Sequence, residues 1–272
     1  MKKTTIIMIA TSVVFLFVLL GNVAYQTSLG IDYNKTPILV EENSPRISRN
    51  IDSFSAISIL THGKNRNQDL YVQNFTAINV EQSDTASTPM IIMPEELKKY
   101  LVTENDNDTL KLYFRVPAED TIKGTPNYRP WPNLICKTPI TILTPGKVNR
   151  IRMRLDAPVN INGFNADSIR VLGGVSSFKF NNSRFAEVLC GNSSTIILAQ
   201  STIGCIKTPE TADNLTITGD TLSTVGTILW NSTSEKTPSL SLKKIAVKDI
   251  RYSGIALRFD SDSATVSNFT VK

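Results

Sequence analysis

Phe178–Phe185 reads FKFNNSRF, Ile196–Ile203 reads IILAQSTI, and Leu215–Leu222 reads LTITGDTL. Each stretch has apolar residues at its first, third and eighth positions, and the stretches follow one another at spacings of 18 and then 19 residues. A regular period of this length is typical of a solenoid, in which each repeat stacks on its neighbours. The spacing therefore predicts that the three stretches occupy equivalent positions on consecutive turns.

The pattern continues in weaker form towards the C-terminus, at Leu240–Leu242 and Thr265–Val271. A second apolar column comes three residues after the end of each stretch and consists of Val188, Ile206 and Val225. Because alternate side chains of a strand face the same way, stacked turns place like residues in internal ladders about 4.8 Å apart. These features predict a parallel β-helix. A β-sandwich with regularly spaced hairpins is disfavoured, because Asn-Gly-type turns are scarce and the period is even.

The rest of the chain agrees with an all-β solenoid that contains one short helix. The 272 residues suffice for one long solenoid or two ordinary domains. The helix candidate is Pro94–Leu101, where proline and acids come first and lysines last. Further candidate strands are Ile57–Leu60, Leu70–Val72, Ile78–Val80, Met90–Met93, Leu110–Val116, Ile140–Leu143, Ile151–Leu155, Val159–Ile161 and Ile169–Val171.

The charge pattern argues against a nucleic-acid partner. The net charge is only +5, and no basic cluster with interleaved aromatic residues stands out. A basic run does occur at Lys147, Arg150, Arg152 and Arg154. Because apolar residues alternate with the arginines, the run predicts a solvated outer strand face more than a patch for an acidic ligand.

The N-terminus predicts export. Lys2 and Lys3 precede the apolar stretch Thr4–Leu20, which is long for a signal peptide and lacks a good small-x-small cleavage site. We favour an uncleaved signal-anchor over residues 1–24, with a cleaved signal peptide as the alternative; in both cases the lysines stay in the cytoplasm. Residues 25–45, rich in turn formers, are predicted to be a tether. Residues 46–272 are then the β-helix domain, held in the periplasm at the inner membrane, or at the cell surface or secreted after cleavage.

The segment 121–139 interrupts the pattern with four prolines, which cannot donate to a strand ladder. We expect a loop that projects from the solenoid, and loops on rigid scaffolds often carry function. Its candidate binding residues are Tyr128, Arg129 and Trp131, which could stack on a sugar ring or insert into a partner. The alternative is that Trp131 folds back and covers a hydrophobic end.

Residues with catalytic or metal-binding chemistry are few. The three cysteines are Cys136, Cys190 and Cys205; the last two lie on neighbouring predicted turns, so a disulfide and two buried thiols are both open. His62 is the only histidine, and no C-x-x-C or nucleophile motif accompanies it, so we expect no metal site, cofactor or catalytic triad. Asp260 and Asp262 are a weak calcium candidate. The acids that a polysaccharide-cleaving β-helix would need are scattered in turns: Asp156, Asp167, Asp213, Asp220, Asp249, Asp260 and Asp262.

A family resemblance rests on three features. These are the segment Ile47–Ile59, the helix Pro94–Leu101 followed by Asp108–Leu112, and the Ser-x-apolar or Asp-x-apolar corners of the repeats. Together they resemble the "putative auto-transporter adhesin, head GIN domain" family of bacterial envelope proteins. The resemblance covers about Arg46 to Lys272. It implies a right-handed β-helix on the outer side of a Gram-negative inner membrane, or at the cell surface.

The function expected from these observations is non-enzymatic. A β-helix would display its surface to an envelope glycan or protein, with the N-terminal helix in the membrane and no nucleic-acid partner. One alternative is a carbohydrate-active β-helix enzyme, a lyase or a glycoside hydrolase, which would show a groove with three or more carboxylates, or with a Lys or Arg beside them, on adjacent turns; a uniform polar exterior would favour binding. Another is a structural or regulatory component of the cell envelope.

Overall fold

The structure is a computed structural model of the chain, and it describes residues 3–28, 38–61, 71–115, 133–173 and 177–272. One α-helix, α1, spans Lys3–Ser28, and a short 3-10 helix spans Glu95–Lys99. The strands are β1 (Ile38–Val40), β2 (Arg46–Asn50), β3 (Ala56–Ile59), β4 (Tyr71–Phe75), β5 (Ile78–Gln82), β6 (Met90–Pro94), β7 (Leu101–Asp106), β8 (Thr109–Phe114), β9 (Asn133–Cys136), β10 (Ile140–Thr144), β11 (Arg150–Met153), β12 (Val159–Asn162), β13 (Asn165–Gly173), β14 (Ser177–Asn181), β15 (Arg184–Leu189), β16 (Ser193–Ala199), β17 (Thr202–Thr208), β18 (Asn214–Thr218), β19 (Thr224–Asn231), β20 (Ser239–Lys243), β21 (Ala246–Ser253), β22 (Arg258–Asp262) and β23 (Thr265–Val271).

The predicted β-helix is confirmed as a β-solenoid of about six turns. Even-numbered strands β12 to β22 pair in sequence in one ten-stranded sheet, and odd-numbered strands β13 to β23 pair in sequence in a second. Every pairing within these turns is parallel. Each turn therefore contributes one strand to each sheet, and the core lies between the two sheets.

The internal ladders follow from the alternation of apolar residues. Phe178 pairs with Ile196, as the spacing predicted, and both side chains are buried. The third repeat differs, because Ile196 pairs with Ile217 and not with Leu215. A longer turn separates β18 from β19, so Val225 takes the buried place next to Ile203, and Val188 and Ile206 are followed by Ile228. Leu222, the apolar residue at the eighth position of the third stretch, lies in that turn and is 67% exposed.

The corners of the turns share a backbone feature and a row of buried serines. Asn182 and Gln200 each have positive φ, at 47° and 52°, and each is followed by a buried serine. These serines, with a third in the next turn, are Ser183, Ser201 and Ser223. The Ser183 N–H donates to Ser201 Oγ at 3.0 Å, and the Ser201 N–H donates to Ser223 Oγ at 3.1 Å. The row therefore satisfies backbone groups that the core shields from water.

The N-terminal half of the folded region builds onto the first turn in a non-sequential order. One sheet runs β2-β6-β10-β5-β12, and the other runs β13-β11-β3-β8-β7. The pairs β2–β6, β6–β10 and β7–β8 are antiparallel. A third sheet has the order β1-β9-β4. All the strands expected from the sequence before the clear repeats are present, but their spatial order was not predicted.

The two ends of the solenoid differ. At the N-terminal end the helix candidate is confirmed as a 3-10 helix, and its own residue Leu97 is buried in the core. It has five residues and is not an α-helix, and β7 begins after Tyr100, at Leu101. At the C-terminal end, every residue of β22 is exposed, and Phe259 stacks on Phe269 with the ring centroids 5.3 Å apart.

Two observations bear on the anchor and the tether predicted for the first 45 residues. Helix α1 covers most of the range 1–24, yet no helix in the described ranges combines the length and the apolar character needed to cross a membrane. The transmembrane anchor is therefore not supported. Strand β1 lies within the predicted tether, 25–45, but it pairs with β9, and Val40 is fully buried. That part of the range is folded against the solenoid.

Candidate functional site

The loop residues proposed from the sequence, Tyr128, Arg129 and Trp131, lie outside the described residues, as does His62. Their role as binding residues therefore stays a prediction. The structure instead directs attention to polar groups on the outer faces of the two sheets.

The candidate acids do not assemble into a metal centre. Among the residues described, no group of three or more His, Cys, Asp or Glu side chains is placed to hold a metal ion. Asp249 lies in β21 and accepts from Arg251 Nε at 2.6 Å, while Asp220 lies in a turn and accepts from the Ser223 hydroxyl at 2.6 Å. Asp260 and Asp262 lie two residues apart on β22, the exposed strand at the C-terminal end of its sheet. Asp249 and Asp220 thus have structural partners.

The disulfide between Cys190 and Cys205 is excluded by the strand register. Cys205 pairs with Glu187, three residues before Cys190 along the neighbouring strand. Three residues of a strand span about 10 Å, well beyond the Cα separation that a disulfide tolerates. All three cysteines are free thiols. Burial raises the pKa of the Cys190 thiol to about 12, so this residue behaves as a small hydrophobic side chain.

A polar cleft of about 360 Å³ lies at the corner where the N-terminal strands meet the first regular turns. We call it the corner cleft. Its lining comes from the β7–β8 turn, from the starts of β8, β3 and β11, from within β13 and from the end of β15. It consists of Ser55, Ala56, Asn107, Asp108, Thr109, Asn149, Arg150, Arg170 and Leu189. Its volume falls within the range of small-ligand sites.

The register of the second sheet places several of the lining residues side by side. One column of outward positions runs Thr109, Ala56, Arg150, Arg170 and Leu189 across five paired strands. Ala56 has the smallest side chain of the column and lies between two larger residues. Arg150 reaches across it, and its Nη2 donates to Thr109 Oγ1 at 3.5 Å. The long arginine therefore covers Ala56, which is 3% exposed.

Backbone hydrogen bonds fix the rim of the cleft. The carbonyl oxygen of Asp108 accepts from the N–H groups of Ser55 and Ala56, at 3.0 and 3.2 Å. The Ser55 carbonyl accepts from Asn149 N–H at 2.8 Å, and the Asn149 carbonyl accepts from Arg170 N–H at 2.8 Å. Backbone hydrogen bonds thus link these lining segments one to the next, and the sheet sets their relative positions.

The β7–β8 turn presents its side chains because of its backbone geometry. Asn107 and Asp108 form a two-residue connection in which both have positive φ, at 49° and 60°. This is the type I′ hairpin, whose twist matches that of the paired strands. Asn and Asp tolerate this conformation better than other non-glycine residues. Both side chains are exposed, so the turn offers an amide and a carboxylate to the cleft.

The corner cleft places two arginines side by side, whereas two cations in the later turns of the same sheet have acidic partners. Further along, Lys207 pairs with Glu187, and Arg251 pairs with Asp249. Arg150 and Arg170 are direct register partners, and neither forms a salt bridge with any residue that the structure describes. Like charges directly opposite one another on paired strands destabilise a sheet. The pair is therefore a cost to the fold that a bound anion would offset.

The sequence identified only part of this arrangement. Arg150 was noticed, but the basic run was assigned to a solvated face. Arg170 was missed, although it lies 20 residues after Arg150, close to one solenoid period. Asp108 was noted only for the family resemblance, because no spacing rule connects an antiparallel hairpin to a later parallel turn.

Comparisons with known proteins identify similar structures but no family. The chain matches no family profile and no curated protein sequence. It is similar to the solved structure of a "putative adhesin" from Bacteroides fragilis, with 16% identity, coverage of 86% of this chain and 100% of the other, and a TM-score of 0.43. It is also similar to a "putative lipid binding protein" from Parabacteroides distasonis, with 17% identity, coverage of 85% and 99%, and a TM-score of 0.37. A third similar structure is a "putative adhesin" from Parabacteroides merdae, with 14% identity, coverage of 86% and 99%, and a TM-score of 0.34.

Proposed function

We propose that this protein is a non-enzymatic component of the cell envelope or cell surface that binds a glycan or protein partner through its β-solenoid. The resemblance to the adhesin family with a head GIN domain agrees with this role. The observation that carries the proposal is the corner cleft. It joins two arginines, which have no salt-bridge partner among the residues that the structure describes, to a rim that backbone hydrogen bonds hold in place.

The physical basis is preorganisation. In a solenoid each strand is bonded to the next turn on both sides, so outward side chains keep fixed relative positions. Binding then orders little of the protein, which reduces the entropic cost of association. A surface of this kind is suited to recognition. The predicted loop residues Tyr128, Arg129 and Trp131 are proposed as a second contact region.

The proposal is tested by presenting the purified full chain to a glycan array and to fractionated envelope extracts, with binding measured as a function of concentration. We expect saturable binding to at least one glycan or protein, competed by the same partner in free form. Absence of saturable binding to every component would refute the proposal. So would the release of shortened products from a bound polysaccharide, which would establish the enzymatic alternative.

A further inference from the structure

We propose that the corner cleft is a binding site for an acidic sugar, in which Arg150 and Arg170 hold the carboxylate and Asp108 accepts hydrogen bonds from ring hydroxyls. The inference rests on the proposed binding function and names the ligand class of that same site. It follows from three features of the cleft: its paired cations, its single carboxylate and its mostly polar lining.

The paired arginines define the charged end of the ligand. Their Cα positions are register partners on adjacent strands, so the two side chains start about 4.8 Å apart. Guanidinium groups bind carboxylates through two parallel N–H···O bonds, and the fork geometry favours this ligand over a simple point charge. Arg150 is already directed towards the cleft by its bond to Thr109. An anion between the two guanidinium groups relieves their mutual repulsion.

The carboxylate of Asp108 restricts which anion fits. A phosphate carries up to two negative charges, and an acid on the rim opposes its binding. A carboxylate on a sugar carries one charge and is accompanied by several hydroxyl groups. An ionised Asp is an acceptor with two oxygens, so it pairs with such hydroxyls and not with a second anionic group. The amides of Asn107 and Asn149 add donors and acceptors on the same rim.

The lining also favours a sugar over an acidic peptide. Among the described lining residues there are two apolar side chains: Ala56, which is buried, and Leu189, which is half-buried. Peptides recognised by side-chain anchors need apolar pockets or a free strand edge to pair with. Here β3, β8, β11, β13 and β15 are all paired on both sides, so the cleft has no strand edge to offer.

The test uses the full chain and isothermal titration with trigalacturonic acid, with a neutral galactose trimer, inorganic phosphate and hexaglutamate as comparison probes. Arg170→Gln removes one cleft cation. Arg154→Gln is the matched control, because it removes the same charge from an exposed arginine of the same basic run outside the cleft. Asp108→Asn removes the proposed hydroxyl acceptor while leaving the turn with an asparagine, which tolerates the same conformation.

We expect the acidic trimer to bind in a salt-dependent manner and the neutral trimer not to bind. Arg170→Gln should lower the affinity for the acidic trimer about tenfold or more, as expected for the loss of a charge-assisted hydrogen bond. Arg154→Gln should leave this affinity unchanged. Asp108→Asn should lower the affinity for the acidic trimer but raise the affinity for phosphate and for hexaglutamate. The opposite signs separate recognition of a sugar from attraction to any anion.

Three results would overturn the inference. The first is that the neutral trimer binds as tightly as the acidic trimer. The second is that Arg154→Gln and Arg170→Gln lose the same affinity for the acidic trimer. The third is that wild type binds hexaglutamate or phosphate as tightly as the acidic trimer. If the array detects a partner whose binding Arg170→Gln leaves intact, the acidic-sugar site fails while the proposed binding function stands. If wild type binds nothing on the array or in the extracts, both fail.

Discussion

Replacing Ser201 by alanine tests whether the buried serine row holds the corners of the solenoid together. Ser201 is 1% exposed, and its hydroxyl oxygen accepts from the N–H of Ser183 at 3.0 Å. The same hydroxyl lies 3.0 Å from the Phe180 carbonyl and 2.9 Å from the Ala199 carbonyl, to either of which it can donate. One side chain therefore connects two successive turns at a place that water cannot reach.

The expected loss can be worked from these contacts. In Ser201→Ala the Ser183 N–H remains buried but loses its acceptor, at a cost of about 1–3 kcal/mol. The carbonyls lose a shared donor, but each also belongs to a strand, which limits the additional cost. We therefore expect a loss of about 2 kcal/mol, or a fall in Tm of about 4–8 °C for a folded region of this size.

The measurement is thermal and urea unfolding of the full-length variant, followed by circular dichroism. Ser241→Ala is the control, because Ser241 lies on the half-exposed outer face of β20 and its loss should change stability by less than about 0.5 kcal/mol. Hydrogen exchange adds a local readout, since the Ser183 amide should lose protection more than amides two turns away. Equal stability of the two variants, or unchanged exchange at Ser183, would refute the role assigned to the row.

Three further predictions concern the same turns. Hydrogen bonding, first from the Ser223 hydroxyl, lowers the pKa of Asp220. The ionised carboxylate therefore stabilises the fold above the unfolded-state pKa of about 3.9, and this stabilisation is lost as pH falls through the folded-state pKa. Asp220→Asn should flatten the acid side of a curve of stability against pH. Gly226→Ala should destabilise by about 1–3 kcal/mol in urea unfolding, because a Cβ there collides with the Gly204 carbonyl, whereas at Gly191 the nearest atom is 3.6 Å away and the same change should cost less. Burial raises the pKa of the Cys190 thiol to about 12, so this thiol should react with a thiol reagent at pH 8 only after unfolding, and mass analysis after oxidation should show no bond to Cys205.

The regular half of the fold was predictable because burial on one face of each strand imposes alternation. Phe178 and Ile196 were placed on adjacent turns by spacing alone, and the structure pairs them. The next turn was misaligned by two residues, because Leu215 and Ile217 are both apolar and a shift of two preserves alternation. Spacing cannot separate such registers when the turn between two strands changes length.

The N-terminal half was predictable only as a set of strands. The segments corresponding to β5 and β10 were both identified, yet their pairing spans about 60 residues and includes the proline-rich segment. Likewise β3 lies between β8 and β11 in space, although it precedes both in sequence. Local propensity and periodicity contain no information on this order, since every arrangement that buries the same faces satisfies them equally.

The corner cleft lies where these two halves meet. This position explains which residues line the cleft and why the sequence pattern did not predict it. Within the regular turns Lys207 has an acidic partner one turn away, Glu187. Arg150 and Arg170 lie at the boundary, where the next strand on one side is β3 and then an antiparallel hairpin. That hairpin brings Asp108 to the rim by its backbone bonds to Ser55 and Ala56, and not as a salt-bridge partner for the arginines. The break in the repeat thus places two cations, which have no acidic partner within the described part of the chain, beside one carboxylate. This arrangement suits a ligand with both an anionic group and hydroxyls.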